Sequence, residues 1–201
     1  MNDIEKAIAD ISDIRSQLAA STKFRGYAPE VVALAGIASL LIVIAAALWP
    51  QAFGPSSFDQ ALLWGAVLLA SGLTILIEAL SRARLQHGGQ AAAMLRGAAR
   101  VLLPVTLTGA VIGYGVLAHA PAAAWVLPGA WQMLIGVAIF ASYATMPPGI
   151  VWPALWYLAS GALVIVVAGS TGMLTPLMCG GPFALGHLTI AWLLHREGLH
   201  P

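Results

Sequence analysis

The chain has 201 residues, of which 60% are hydrophobic and only 8% charged. A soluble domain carries about 25% charged residues, so this composition excludes a water-covered globule and points to a bilayer as the solvent. The net charge of +1 says little by itself. The distribution of charge says more.

Residues 1–30 are polar and charged, and the first apolar run begins near Val31. That start does not read as a cleaved signal peptide, and the first span is expected to remain uncleaved. Within it, residues 2–20 have the pattern of an amphipathic helix. Asn2 can cap it, with Glu5 three residues on as a capping-box partner. Ile4, Ile8, Ile11, Ile14 and Leu18 form one apolar stripe, and the opposite face is acidic, with Asp3, Glu5, Asp10 and Asp13 against Lys6 and Arg15. A helix made for anionic lipid shows a Lys/Arg-rich polar face. The stripe is therefore expected to dock on protein: its own bundle, a second copy or another partner.

Apolar runs follow at about 31–49, 60–80, 101–118, 122–144, 150–168 and 176–194. Each is close to the roughly 20 residues that cross a hydrocarbon core of about 30 Å. Pro128 and Gly129 inside the fourth run predict a kink. Gly180-Gly181-Pro182 interrupts the sixth. That helix either breaks near its end or begins before the glycines.

The expected domain plan is a cytoplasmic helix and connector at 1–28, a transmembrane domain at 29–196 and a tail at 197–201. The fold class is all-α: a six-span bundle with an N-terminal cytoplasmic amphipathic helix. With six spans and the N-terminus inside, all nine Lys/Arg fall on one side. Basic residues beside apolar spans stay in the cytoplasm, so both termini are placed there. Arg82, Arg84, Arg96 and Arg100 make the loop at 81–100 the anchor of this topology. A bacterial inner membrane is the expected location.

Small residues mark close helix approach: Gly109 and Gly113 in span three, Ala35 and Ser39 in span one, Ala66 and Ala70 in span two. Contacts within the chain are the expected use. Trp49, Trp64, Trp125, Trp152, Trp156 and Trp192 sit mostly near span ends and read as an aromatic belt.

Ionisable residues inside a bilayer are costly, which makes each a candidate. Glu78 can join a cation path or pair with Arg82 at i+4. His187 is the deepest, five positions after Pro182, and His119 closes span three. Met173, Met178, Cys179 and His187 carry the soft sulfur and imidazole that suit Cu(I), although their spacing matches no known ligand pattern. The plain alternatives are an ordinary membrane core and a hydrogen-bonded structural histidine. No two histidines match in depth as a haem pair would, and no cofactor is expected. Gln132, Tyr114, Tyr143, Ser71, Thr74, Thr106 and Thr108 can line a polar path or join helices by hydrogen bonds.

With one cysteine the chain forms no internal disulfide. No phosphate loop, zinc-helix motif or nucleophile elbow is present. Apart from the bilayer, the expected partner is a protein or second copy engaged through residues 2–20, and no nucleic acid. Two functions compete. One is a non-enzymatic sensory, regulatory or assembly subunit acting through the N-terminal helix. The other is a small transporter or channel-like protein with its site at span six and His187.

Overall fold

The computed structural model describes residue 11, residues 28–86 and residues 91–198. Six long helices make up the bundle: α1 (Pro29–Leu48), α2 (Ser57–Gln86), α3 (Ala91–His119), α4 (Leu127–Ala141), α5 (Val151–Thr171) and α6 (Pro176–Gly198). The 3-10 helix Pro121–Val126 leads into α4. Each of the six spans is long and apolar enough to cross a membrane, and there is no strand among the described residues. The chain is an all-α polytopic membrane bundle. The expected helix at 2–20, with Ile4, Ile8, Ile14 and Leu18, lies outside the described residues. Ile11 alone is described, as helical and exposed.

Helix boundaries follow local chemistry. Pro29 opens α1, where a missing N–H costs nothing. The second span starts at Ser57, three residues before the apolar run, because Ser56 and Asp59 form a capping box. The Asp59 N–H donates to Ser56 Oγ at 3.1 Å, and the Ser56 N–H donates to Asp59 Oδ2 at 3.3 Å. α5 ends at Gly172, whose φ of 68° only glycine adopts freely, with its N–H bonded to the Ala168 carbonyl.

Two expectations need correction. Much of the loop at 81–100 is helix: α2 continues through Gln86 and α3 starts at Ala91. Ala, Leu, Arg, Met and Gln fill those ends, all strong helix formers. The kink expected at Pro128 is instead a junction, where the 3-10 helix gives way to α4. Pro128 stands at the start of the α-helix, where its missing N–H needs no partner. Of the two alternatives for the sixth span, the structure has the second: α6 is one continuous helix from Pro176 to Gly198, with Pro182 inside it. Its first turn precedes the glycines.

Small residues set the packing. α6 packs along α1 and α5, and α5 packs along α4. At the α4–α5 crossing, a Cβ on Gly129 would lie 2.6 Å from the Gly161 carbonyl, and one on Gly161 would lie 2.6 Å from the Gly129 carbonyl. Seven residues along, a Cβ on Gly136 would lie 2.9 Å from the Ala154 carbonyl. Two backbones meet here without side chains between them.

Gly109 and Gly113 serve a contact within the bundle. Together with Gly65 on α2 they receive the Trp131 indole, whose Nε1 donates to the Gly109 carbonyl at 3.0 Å. Ser39 is fully buried against α6, whereas Ala66 and Ala70 are exposed. We expect Trp131→Phe to cost about 1–2 kcal/mol, from one lost hydrogen bond and a partly emptied slot. Unfolding in mild detergent measures it, and an unchanged midpoint would contradict this packing.

Candidate functional site

Apart from Gln60, which bonds to the Gly54 carbonyl and Trp64, the buried polar side chains among the described residues gather along the first three turns of α6. Pro182 has no N–H, so the Met178 carbonyl four residues earlier lacks its helical donor. In hydrocarbon, such an acceptor needs a partner from the protein. Gln132 of α4 supplies it. Its Nε2 donates to the carbonyls of Met178 and Cys179, at 3.1 Å each. Ser160 of α5 donates to Gln132 Oε1 at 3.2 Å and so fixes the amide orientation.

Other helices add donors along the same stretch. Ser39 Oγ of α1 donates to the Gly180 carbonyl at 3.1 Å. Trp156 Nε1 donates to the Pro182 carbonyl at 2.9 Å, and Tyr157 Oη donates to the Phe183 carbonyl at 3.1 Å. Gly180 makes this possible by lacking a side chain, since a Cβ there would overlap Trp64 and Val43. α1, α4 and α5 thus grip one helix through its carbonyls. Ser39 stands near the middle of the 20-residue α1, and Gly180 is the fifth residue of α6.

One turn further along α6 is His187, which is 8% exposed. Its ring lies against Phe183, centroids 3.9 Å apart, and meets Tyr157 edge-on. Nδ1 is 2.6 Å from Tyr157 Oη and 3.2 Å from the Phe183 carbonyl. The tautomer sets the direction of the shortest contact: Nδ1 donates to Tyr157 Oη when it carries the imidazole proton, and accepts from it when Nε2 does. Nε2 has no hydrogen-bond partner among the described residues.

The remaining candidates lie elsewhere. Glu78 accepts from Arg82 Nε at 2.7 Å, and Arg82 Nη2 lies 3.6 Å from Glu30 Oε2 of α1. This is the i+4 pairing read from the sequence, extended to a second helix. His119 is exposed at the end of α3, edge-on to Tyr114. His187, Glu78 and His119 therefore occupy three separate places.

The four soft ligands do not come together either. Met173 is 66% exposed, and Cys179 is packed among Val43, Trp64, Val164, Ala168 and Leu174. Along a continuous helix Cys179 and His187 are separated by a rise of about 12 Å. No group of three or more His, Cys, Asp or Glu that would hold a metal occurs among the described residues.

Sequence reasoning placed Trp64 in the interfacial belt. The structure buries it, 3% exposed, with Nε1 donating to Gln60 Oε1 at 3.3 Å. Tyr157 and Ser160 were not singled out as polar partners. The signal that points to them is Pro182 itself, since a proline inside a membrane helix requires donors from neighbours.

No protein-family model, no curated protein and no solved structure matches this chain.

Proposed function

We propose that this membrane protein is a non-enzymatic sensory, regulatory or assembly subunit that acts through residues 2–20. The observation that supports this reading is how the buried polar groups are used. Ser39, Gln132, Ser160 and Tyr157 all bond to carbonyls or amides of the bundle itself. No acid/base pair or ligand cluster at one level is left for chemistry among the described residues. The acidic, heptad-spaced segment 2–20 is the water-compatible part of the sequence, and its apolar stripe calls for a protein surface. We place both termini in the cytoplasm of a bacterial cell, on the side where all nine Lys/Arg fall.

Deletion of residues 2–20 tests it. Purified in mild detergent beside the full chain, the shortened protein should lose a stoichiometric partner or its self-association. His187→Ala should leave that association intact. An unchanged association after the deletion removes the proposal.

A second reading is favoured by His187 alone. A buried imidazole whose Nε2 has no hydrogen-bond partner among the described residues suits a transporter or channel-like site. It requires a solute whose flux into proteoliposomes is abolished by His187→Ala and untouched by the deletion.

A further inference from the structure

The arginines of this protein differ in what they touch. Arg82 is held between Glu78 and Glu30, and the Arg196 guanidinium lies 4.8 Å over the Trp192 ring. Arg96 and Arg100 of α3 are different. Both are exposed, and among the described residues neither makes an ion pair. Of the carboxylates whose side chains are described, Glu30 and Glu78 contact Arg82, and Asp59 stands at the other end of α2.

Four residues apart on a helix, Arg96 and Arg100 share one face. Gly97 and Ala99 beside them are exposed, and a Cβ on Gly97 would meet nothing within 4 Å.

The same face continues as an apolar track. Leu103, Leu107 and Val111 follow at helical spacing and are 61%, 56% and 69% exposed. The apolar span of α3 begins at Ala99, which sets Arg100 at the membrane boundary. The three apolar residues then lie roughly 5, 11 and 17 Å deeper. A cation pair at headgroup depth thus stands over a track at acyl-chain depth.

We propose that Arg96 and Arg100 bind the phosphate of an anionic phospholipid whose acyl chain lies along Leu103, Leu107 and Val111. Guanidinium groups match phosphate oxygens in charge and in bidentate geometry. The apolar track selects a lipid over a free anion. A zwitterionic lipid carries its own ammonium group, which the two arginines repel. This site depends neither on residues 2–20 nor on which side of the membrane the face meets.

Native mass spectrometry of the full chain tests it by titration with phosphatidylglycerol, phosphatidylcholine and, separately, inorganic phosphate. At the strength typical of basic residues at a membrane surface, Arg100→Gln should weaken phosphatidylglycerol binding ~5-fold, and R96Q/R100Q ~30-fold. Phosphatidylcholine should bind more weakly to the native chain and equally to the variants. R84Q/R196Q, with the same loss of charge, should retain more of the phosphatidylglycerol affinity than R96Q/R100Q. Unchanged binding by R96Q/R100Q overturns the site. Equal losses in both double variants reduce it to bulk charge, and phosphate that competes as strongly as the lipid makes it a free-anion site. Both outcomes also overturn it.

Discussion

Gly161→Ala should prevent α4 and α5 from closing against each other. The added methyl would stand 2.6 Å from the Gly129 carbonyl, 2.8 Å from Met133 Cγ and 3.0 Å from the Met133 nitrogen. Two of those atoms are backbone, so rotamer changes cannot relieve the contact. Overpacking of flexible side chains costs about 1–3 kcal/mol, and a backbone collision belongs at or above the top of that range. Gly115→Ala is the matched comparison, because nothing lies within 4 Å of a Cβ there. That change should be neutral or slightly stabilising, since alanine favours helix by about 0.5–1 kcal/mol. Chromatographic monodispersity and the unfolding midpoint in mild detergent report both. Equal midpoints for the two variants would show that the α4–α5 crossing is not as close as described.

The second large effect belongs to Gln132. Gln132→Met keeps the length of the side chain and removes both donors and the acceptor. The carbonyls of Met178 and Cys179 lose side-chain donors in a dry interior, and Ser160 loses its acceptor. Unsatisfied buried groups cost about 1–3 kcal/mol, although interhelical bonds measured in membranes fall mostly at the low end. We expect a loss of about 1–2 kcal/mol from Gln132→Met, well above the effect of an exposed change such as Thr74→Val. A loss no larger than that of Thr74→Val would mean that the amide does not support α6.

The sequence made the bundle legible because its signals there are one-dimensional. Six apolar runs and nine cations need only chain position to be read. Glu78 was legible for the same reason, since its partner Arg82 is four residues away on the same helix. The grip on α6 was not. Gly180-Gly181-Pro182 signals a weak helix, and whether it breaks depends on donors 26 to 141 residues distant: Ser39, Gln132, Trp156 and Tyr157. Periodicity cannot register such partners.

His187 was read as the deepest ionisable residue, and its companion Tyr157 is 30 residues away on α5. Gly109 and Gly113 announced a close contact without naming Trp131 as its occupant. In each case the residue type marked a need, and the fold alone decided what met it.

All of this rests on polar side chains in the membrane interior standing in for the helical donor that Pro182 removes. A double-mutant cycle of Gln132→Met and Pro182→Ala measures that substitution directly, by reversible unfolding in mild detergent. Alanine at 182 restores an N–H to the Met178 carbonyl. Gln132→Met should therefore cost less in the Pro182→Ala background, with a coupling of about 0.5–1.5 kcal/mol. Strictly additive effects would mean that Gln132 does not replace the missing donor, and the account of α6 would be wrong.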